Sequence, residues 1–489
     1  MAENTENTGR AAAWREDLRK ALTAKERTAI PRTAMPTLDP AYRITCNEEV
    51  NQGLSEEQAV LEATRCLDCP NPTCVEGCPV NIAIPDFVKN IQRGDFGEAA
   101  AVLRRTSALP AVCGRVCPQE KQCESKCIYN KMKKEPVAIG YLERFAADKE
   151  IALHKAPEKP TNPNGIRVAV AGSGPAGLSF AGEMAKLGFQ VDVFEALHEI
   201  GGVLKYGIPE FRLPNSIVDN QLDSLRALGV RFHKDTIIGK TLSYHDLLEQ
   251  GFKGIFVASG AGLPRFMGIP GENFTGILSS NEYLTRINLM GAGRPGHDTP
   301  APAGHRVAVV GGGNTAMDSV RTARRMGAEK VMLIYRRSES EMPARLEEVR
   351  HAKEEGVEFI TLANPVEYLG DERGHVRAVR VQRMELGEPD ASGRRSPRPI
   401  PGAIDEIEID LAVVSIGVSP NPLIPNSIAG LEVTNKGTIA TDEHLQSSIP
   451  AIYAGGDIVR GGATVILAMS DGRRAAQEMA KKLLADEKA

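Results

Sequence analysis

Residues 66 to 78 read CLDCPNPTCVEGC, and Pro79 follows. Four thiols in thirteen positions can close disulfides, hold zinc or carry an iron–sulfur cluster. A second run, AVCGRVCPQEKQCESKC, brings Cys113, Cys117, Cys123 and Cys127 within seventeen positions. The chain has nine cysteines, an odd number, and eight lie between Cys66 and Cys127. An odd count argues against a disulfide framework. Structural zinc tends to use two separated pairs, often with histidine, and the first histidine here is His154. The spacing C-x2-C-x4-C-x3-C-P favours iron–sulfur ligation, in which the last cysteine of a run can serve a neighbouring cluster.

A second kind of chemistry is written in glycine. IRVAVAGSGPAGLSF puts Gly172, Gly174 and Gly177 between an apolar strand and a helix, with Pro175 and Ala176 in the same turn. Such a turn lets the backbone approach a pyrophosphate, and the helix N-terminus offers it free N–H groups. Glu195 closes the next strand, where a carboxylate would accept hydrogen bonds from ribose hydroxyls. The same pattern recurs in HRVAVVGGGNTAMDSV, with Gly311, Gly313 and Ala316 at the three positions and Asn314 and Thr315 between them. There the place of Glu195 is taken by Arg336, followed by Arg337. A guanidinium grips a 2′-phosphate that a carboxylate would repel, so the second site should prefer NADPH and the first FAD.

These residues need elements to hold them. At 489 residues the chain can bury several cores, and its 42% apolar and 25% charged fractions are those of an ordinary globular protein. The net charge of −4 argues against nucleic acid as a partner. Neither a secretory pattern in MAENTENTGRAAAWREDLRK nor a bilayer-length apolar run is seen, so a cytoplasmic protein with no membrane association is expected. The first part is patterned as helices, as in SEEQAVLEATRCL and VAIGYLERFAADKEIALH. Three prolines in KAPEKPTNPNG, residues 155–165, mark a linker. The expected architecture is α/β. It has a helical two-cluster iron–sulfur domain at 1–160, an FAD domain at 161–290 and 420–489, and an inserted NADPH domain at 291–419, both of Rossmann-like type. Residues 386–402 should form an exposed hairpin or loop.

Residues 166–489 resemble the two-dinucleotide-binding flavoproteins of the thioredoxin reductase and adrenodoxin reductase kind. That resemblance implies that the C-terminal IYAGGD segment returns to the FAD site, with Gly456 and Asp457 near the ribityl–pyrophosphate region and Thr464 close to the ring. The second unit has no cysteine, which excludes a disulfide reductase of that kind. The whole chain resembles the small subunits of NADPH-dependent glutamate synthase, through RCLDCPNPTCVEGCPV, LPAVCGRVCPQEKQCESKC, VAIGYLERF, GGVLKYGIPEFRLP and GGGNTAMDS. The same N-terminal module heads dihydropyrimidine dehydrogenase and the large subunit of NADH-dependent ferredoxin:NADP oxidoreductase. By resemblance Gly202, Val203 and Arg212 also line the FAD site. The resemblance further implies two [4Fe–4S] clusters, one on Cys66, Cys69, Cys74 and Cys127, the other on Cys78, Cys117, Cys123 and Glu143. Cys113 and Cys46 are then spare.

The implied function is hydride transfer from NADPH to FAD, followed by single electrons leaving through the clusters, with the cofactors carrying the chemistry and no acid–base catalytic residue. The chain begins Met1-Ala2, without the N-terminal cysteine nucleophile of a glutaminase in this family, so a large FMN-containing amidotransferase/synthase subunit is the expected partner. An alternative is the large subunit of a bifurcating ferredoxin:NADP oxidoreductase, paired with a small iron–sulfur flavoprotein. A second is a non-catalytic nucleotide- and redox-sensing assembly module.

Overall fold

A computed structural model describes residues 9–153 and 162–487. Most of the expected linker, and with it the boundary at residue 160, lies at 154–161, outside the described residues. Before it the chain is helical, as its patterning requires. Ser55 and Gln58 close a capping box on Glu56–Thr64, Asp95 caps Phe96–Arg104, and Pro85 and Pro110 occupy first turns where a missing N–H does no harm. Together with α1 (Ile139–Ala152), these helices bury Phe87, Leu103 and Leu142. The cysteine runs lie in and between them, with Cys113 inside the helix Pro110–Val116 and Cys74 in the single turn Thr73–Glu76.

From Arg167 the chain builds a parallel sheet from β1 (Arg167–Ala171), β2 (Gln190–Phe194), β3 (Arg231–His233) and β4 (Phe252–Val257). The late strand Ile452–Ala454 pairs with β4, giving the order Ile452–Ala454, β4, β1, β2, β3. Val168 to Ala171 are all buried, as strands covered on both faces must be. Helix α2 (Pro175–Lys186) follows β1 directly. The second sheet repeats this plan with β5 (Ile277–Ser279), β6 (Arg306–Val310), α3 (Asn314–Arg325), β7 (Lys330–Tyr335), α4 (Leu346–Glu354) and β8 (Glu358–Thr361). An antiparallel meander then interrupts it, formed by β9 (Ala363–Gly370), β10 (Val376–Pro389) and β11 (Arg395–Glu408). β12 (Leu411–Val414) returns between β5 and β6. The expected hairpin is the turn between β10 and β11. The chain closes with α5 (Val465–Asp486), and no helix among the described residues is long and apolar enough to cross a membrane.

Two features depart from simple domain arithmetic. Strand β5 and the following helix Ser280–Asn288 belong by pairing and packing to the second sheet, because Tyr283, Leu284 and Ile287 sit in its core. The second unit therefore takes in residues 277–288, before the expected start at 291. The apolar core of the cysteine-bearing helices is also continuous with that of the first sheet, running from Val88 and Leu142 through Cys113 and Met469 to Phe180.

The second unit is fastened to both others by buried charge. Glu355, just past α4, accepts from Arg43 Nε of the N-terminal segment at 2.8 Å and from Arg321 and Arg325 of its own unit. Arg212, in the first unit, donates to Asp318 of α3 at 3.0 Å, and Phe211 beside it packs under the Arg321 and Arg325 guanidinium groups. Burial alone would raise the Glu355 carboxyl, but Arg321 and Arg325 outweigh it and hold its pKa down to about 2. A carboxylate depressed on folding stabilises above its ordinary range near 4.5 and loses that contribution as pH falls toward 2. Unfolding melts should show stability dropping through that window in the parent. Glu355→Ala, which strips the carboxylate from Arg325 and leaves Arg43 to Glu354 and Arg321 to Glu348, should cost about 3–5 kcal/mol at neutral pH and flatten the acid limb.

Candidate functional site

The first glycine turn is closed by close packing. A side chain on Gly172, whose φ is +108°, would lie 2.4 Å from the carbonyl oxygen of Ala258, and one on Gly177 would lie 2.1 Å from that of Gly172. A Cβ on Gly174 would meet nothing within 4 Å, so this position faces the space a pyrophosphate would need. Glu195 stands beside the turn and is already engaged. Its Oε2 accepts from Ser173 N at 2.9 Å and from Ser173 Oγ, and its Oε1 accepts from Leu197 N at 3.0 Å. Ser173 Oγ in turn accepts from Gly201 N.

The GGVLKYG segment lies against this turn. A side chain on Gly202 would come within 2.9 Å of Gly174 Cα, and exposed Val203 starts the single-turn helix Val203–Tyr206. The IYAGGD segment closes the other side, with Gly456 (φ +76°) 3.0 Å from Ala176 Cβ by the same measure. Asp471 holds that approach by accepting from Gly456 N at 3.0 Å and pairing with Arg460. Burial raises the Asp457 carboxyl, and it pushes the Tyr206 hydroxyl up to about 12, with Asp457 and Glu195 adding to the effect. Ser173, Tyr206, Arg460 and Asp471 were not singled out from the sequence, although Ser173 and Tyr206 stand inside motifs that were. Arg212 donates to Asp318 Oδ2 at 3.0 Å, while its Nε has no hydrogen-bond partner.

The second turn repeats the first. A side chain on Gly311 would lie 2.2 Å from the carbonyl oxygen of Ser415, while Gly313 is open. Asn314 Oδ1 accepts from Arg345 N at 2.8 Å, Thr315 is exposed and Ala316 is buried. Arg336 is exposed. Arg337 is buried, and its guanidinium is bonded to Asp390 and to the carbonyl of Arg395.

The cysteines fall into two sets. Cys66, Cys69, Cys74 and Cys127 line one pocket. Burial raises the Cys69 and Cys74 thiols, and Cys66 and Cys127 raise them further. The second set is Cys78, Cys117 and Cys123 with Glu143 of α1. Burial pushes Cys78 up to about 12, with Glu143 and Cys117 adding to it; the hydrogen bond with Cys113 and burial raise Cys117, burial raises Cys123, and Glu143 adds to both. Burial alone pushes Glu143 up to about 8, and its Oε1 has no hydrogen-bond partner. Cys113 stands with this set, its side chain hydrogen-bonded to Cys117, and it also contacts Met469 Sδ at 3.5 Å. Such crowded acidic groups suit a cationic centre that would let them ionise together. Among the described residues no three are gathered as a single metal ion would need. Behind the first set Arg15 and Arg19 pair with buried Asp68, and Lys89 Nζ donates to the Cys66 carbonyl, a basic shell the sequence reading did not anticipate.

The second set also touches the flavin-side elements. Gln122 Nε2 reaches Thr464 Oγ1, the cap of α5, at 3.5 Å, and Ser470 Oγ donates to the Pro79 carbonyl at 2.9 Å. The second cysteine run and α2, which opens from the first glycine turn, thus both contact α5.

Comparison with known proteins agrees with this division. Residues 43–155 match the family described as dihydropyrimidine dehydrogenase domain II, 4Fe-4S cluster, and residues 166–472 match the pyridine nucleotide-disulphide oxidoreductase family. The glutamate synthase [NADPH] small chain of Halomonas elongata is 36% identical over 438 residues, covering 88% of this chain and 92% of that protein. The Escherichia coli (strain K12) protein of the same name is 37% identical over 437 residues, with the same coverage. The NADPH-Fe(3+) oxidoreductase subunit beta of Geobacter sulfurreducens is 35% identical over 489 residues, covering 94% of this chain and 71% of that one. Among solved structures, Mycobacterium tuberculosis FprA in complex with NADPH superposes with a TM-score of 0.57 at 21% identity, covering 66% of this chain and 86% of that one. That likeness concerns the fold.

Two glycine substitutions separate the roles of these turns. Gly174→Ala meets no protein atom and should leave the melting temperature unchanged while the purified protein loses flavin. Gly472→Ala would place its Cβ 2.1 Å from the Ala176 carbonyl and should lower stability by about 1–3 kcal/mol or more, read by thermal melting.

Proposed function

The chain belongs to the family of the NADPH glutamate synthase small chain, and on that premise we propose that it delivers electrons to a large synthase subunit that makes L-glutamate from L-glutamine and 2-oxoglutarate. It is an NADPH-dependent flavo–iron–sulfur oxidoreductase of the electron-transfer type. When bound, NADPH and FAD supply hydride chemistry, and iron–sulfur centres supply one-electron transfer. The residues of the chain do the binding and the spacing. Gly172, Gly174, Pro175, Ala176, Gly177, Gly202, Val203, Gly456, Asp457 and Thr464 would hold FAD, with Glu195 keyed to the turn through Ser173. Gly311, Gly313, Asn314, Thr315, Ala316 and Arg336 would hold NADPH. Cys66, Cys69, Cys74 and Cys127 would carry one [4Fe–4S] cluster, and Cys78, Cys117, Cys123 and Glu143 a second. The expected domain limits follow the same division, with 277–288 moved into the NADPH unit.

The observation that carries this reading is the contact of both cysteine runs with α5, the second through Gln122 and Thr464 and through Cys113 and Met469, the first through Pro79 and Ser470. A sensor module would need no such junction between thiols and flavin turn. An electron-transfer subunit needs it, because electrons leave a flavin only to a neighbour in near contact. Both Glu143 and Cys113 stand beside Cys117, and Glu143 is favoured as the remaining ligand because its buried carboxylate oxygen lacks a partner.

Rapid mixing of the purified chain with NADPH should bleach the flavin absorbance, and a flavin that stays oxidised would sink the electron-transfer reading. Affinity capture from the native host should bring down a large synthase subunit. A different redox partner would leave the module intact and overturn only the glutamate assignment. Glu143→Ala should remove the electron paramagnetic resonance signal of one cluster and about half of the iron, while Cys113→Ala keeps both. The reverse pattern would hand the ligand position to Cys113.

A further inference from the structure

The meander of the second unit is longer than its packing requires. β9 is paired with β10 from Gly370 back to Ala363, which lies opposite Arg383. Beyond Met384, β10 and β11 pair only with each other, through Glu385 with Arg398, Leu386 with Pro397 and Pro389 with Arg395. Ala363 comes just after β8, whose last residue, Thr361, is level with Tyr335 at the end of β7. The arm from residue 385 to 398 therefore extends past the sheet edge where Arg336 and Arg337 stand.

Its tip is an ordered turn. Asp390 N donates to the Arg394 carbonyl at 2.7 Å, Gly393 N donates to the Asp390 carbonyl at 2.8 Å, and Asp390 Oδ1 accepts from Ser392 N at 2.8 Å. Gly393 adopts φ +78°, which a side chain would resist. Arg337 reaches this tip directly, donating from Nε to the Arg395 carbonyl at 2.8 Å and from its terminal nitrogen to Asp390 Oδ2 at 2.5 Å. The two neighbouring arginines after β7 thus differ, one tied to the arm and buried, the other exposed.

We propose that the 385–398 arm is the second wall of the pocket for the 2′-phosphate of NADPH, and that Arg337 is a positioning residue that holds the arm there, leaving Arg336 to face the phosphate. The inference rests on the reading of the second unit as the NADPH site and deepens it. A single guanidinium in open water discriminates weakly against a nucleotide lacking the phosphate. A wall that displaces water from the same contact strengthens it. Asp390 would repel the phosphate if its charge were uncompensated, and the Arg337 partner neutralises it.

The sign of one substitution separates the two roles of Arg337. Asp390→Asn removes a negative charge beside the pocket and frees the Arg337 guanidinium. Were Arg337 a phosphate ligand, NADPH would bind more tightly. If it is a tether, the arm is released, and the KM for NADPH should rise by about tenfold with the KM for NADH and the flavin content unchanged. The assay is dye reduction by the flavin-loaded holoenzyme. An unchanged or lowered KM for NADPH overturns the proposal. The reciprocal exchange, Arg337→Asp with Asp390→Arg, keeps the pair and should recover much of the NADPH preference, and failure to recover assigns the phosphate contact to Arg337 itself and overturns the tether. Arg336→Ala tests the underlying reading separately. If it leaves the preference for NADPH intact, that reading falls. If it abolishes the preference while Asp390→Asn does not, only the role of the arm falls.

Discussion

The molecule is organised around a place where there is no room for a side chain. Gly472 in α5 approaches the Ala176 carbonyl of α2 so closely that a Cβ would stand 2.1 Å from it. Two helices in backbone contact leave almost no freedom to slide. The residues just before Gly472 are therefore fixed in the directions they face. Asp471 takes the backbone of the returning Gly456, Ser470 and Met469 take the two cysteine runs, and Thr464 caps the helix beside Gln122. Nucleotide turn, C-terminal return and thiols share one reference frame because a single helix crossing sets it.

The second unit is held by different physics. Its connection to the rest is charged and buried, with Arg43, Arg321 and Arg325 converging on Glu355 and Arg212 reaching Asp318. Buried ion pairs add little net stability relative to apolar packing, but they are intolerant of misplacement, since a displaced partner leaves an uncompensated charge. Such a seam specifies orientation more than it supplies adhesion. Lys121 and Glu120, in the second cysteine run, add to it by bonding the backbone at 343–346, which also touches the second glycine turn through Ala344 and Gly312. The nucleotide turn is thereby connected to the thiol region by a short chain of backbone contacts.

What could be read from the sequence was what depends on local chemistry. Glycine at fixed offsets between a strand and a helix has a local cause, so both turns and the α/β plan were legible, as was the hairpin from its turn residues. Residues that act across distance were not. Arg43 and Glu355 are 312 residues apart, and nothing in either neighbourhood marks them as partners. The place of β5 in the second sheet was not legible because it is only three residues long and finds its meaning in pairing with β12. The basic shell behind Cys66 was hidden because an N-terminal stretch of mixed charge reads as a solvated surface. Glu143 sits in a helix whose periodicity signals only burial, and its place among the thiols came from resemblance rather than from spacing.

The two glycine turns show how far a duplicated backbone carries function. Both bury the first glycine against the carbonyl just past the neighbouring parallel strand, Ala258 after β4 and Ser415 after β12, and leave the second open, so the backbone geometry is the same. The side chains after the next strand have diverged in charge and also in how they are restrained. Glu195 is turned inward and held by Ser173 and Leu197, inside the same unit. At the equivalent place Arg336 is free and its neighbour Arg337 is bound outward, to the hairpin that only the second unit has. An acid tied to its own turn is already oriented for neutral hydroxyls and needs no further element. A cation facing a mobile, doubly charged phosphate gains from a second wall, and the insertion of the meander after β8 is what gives the second unit one.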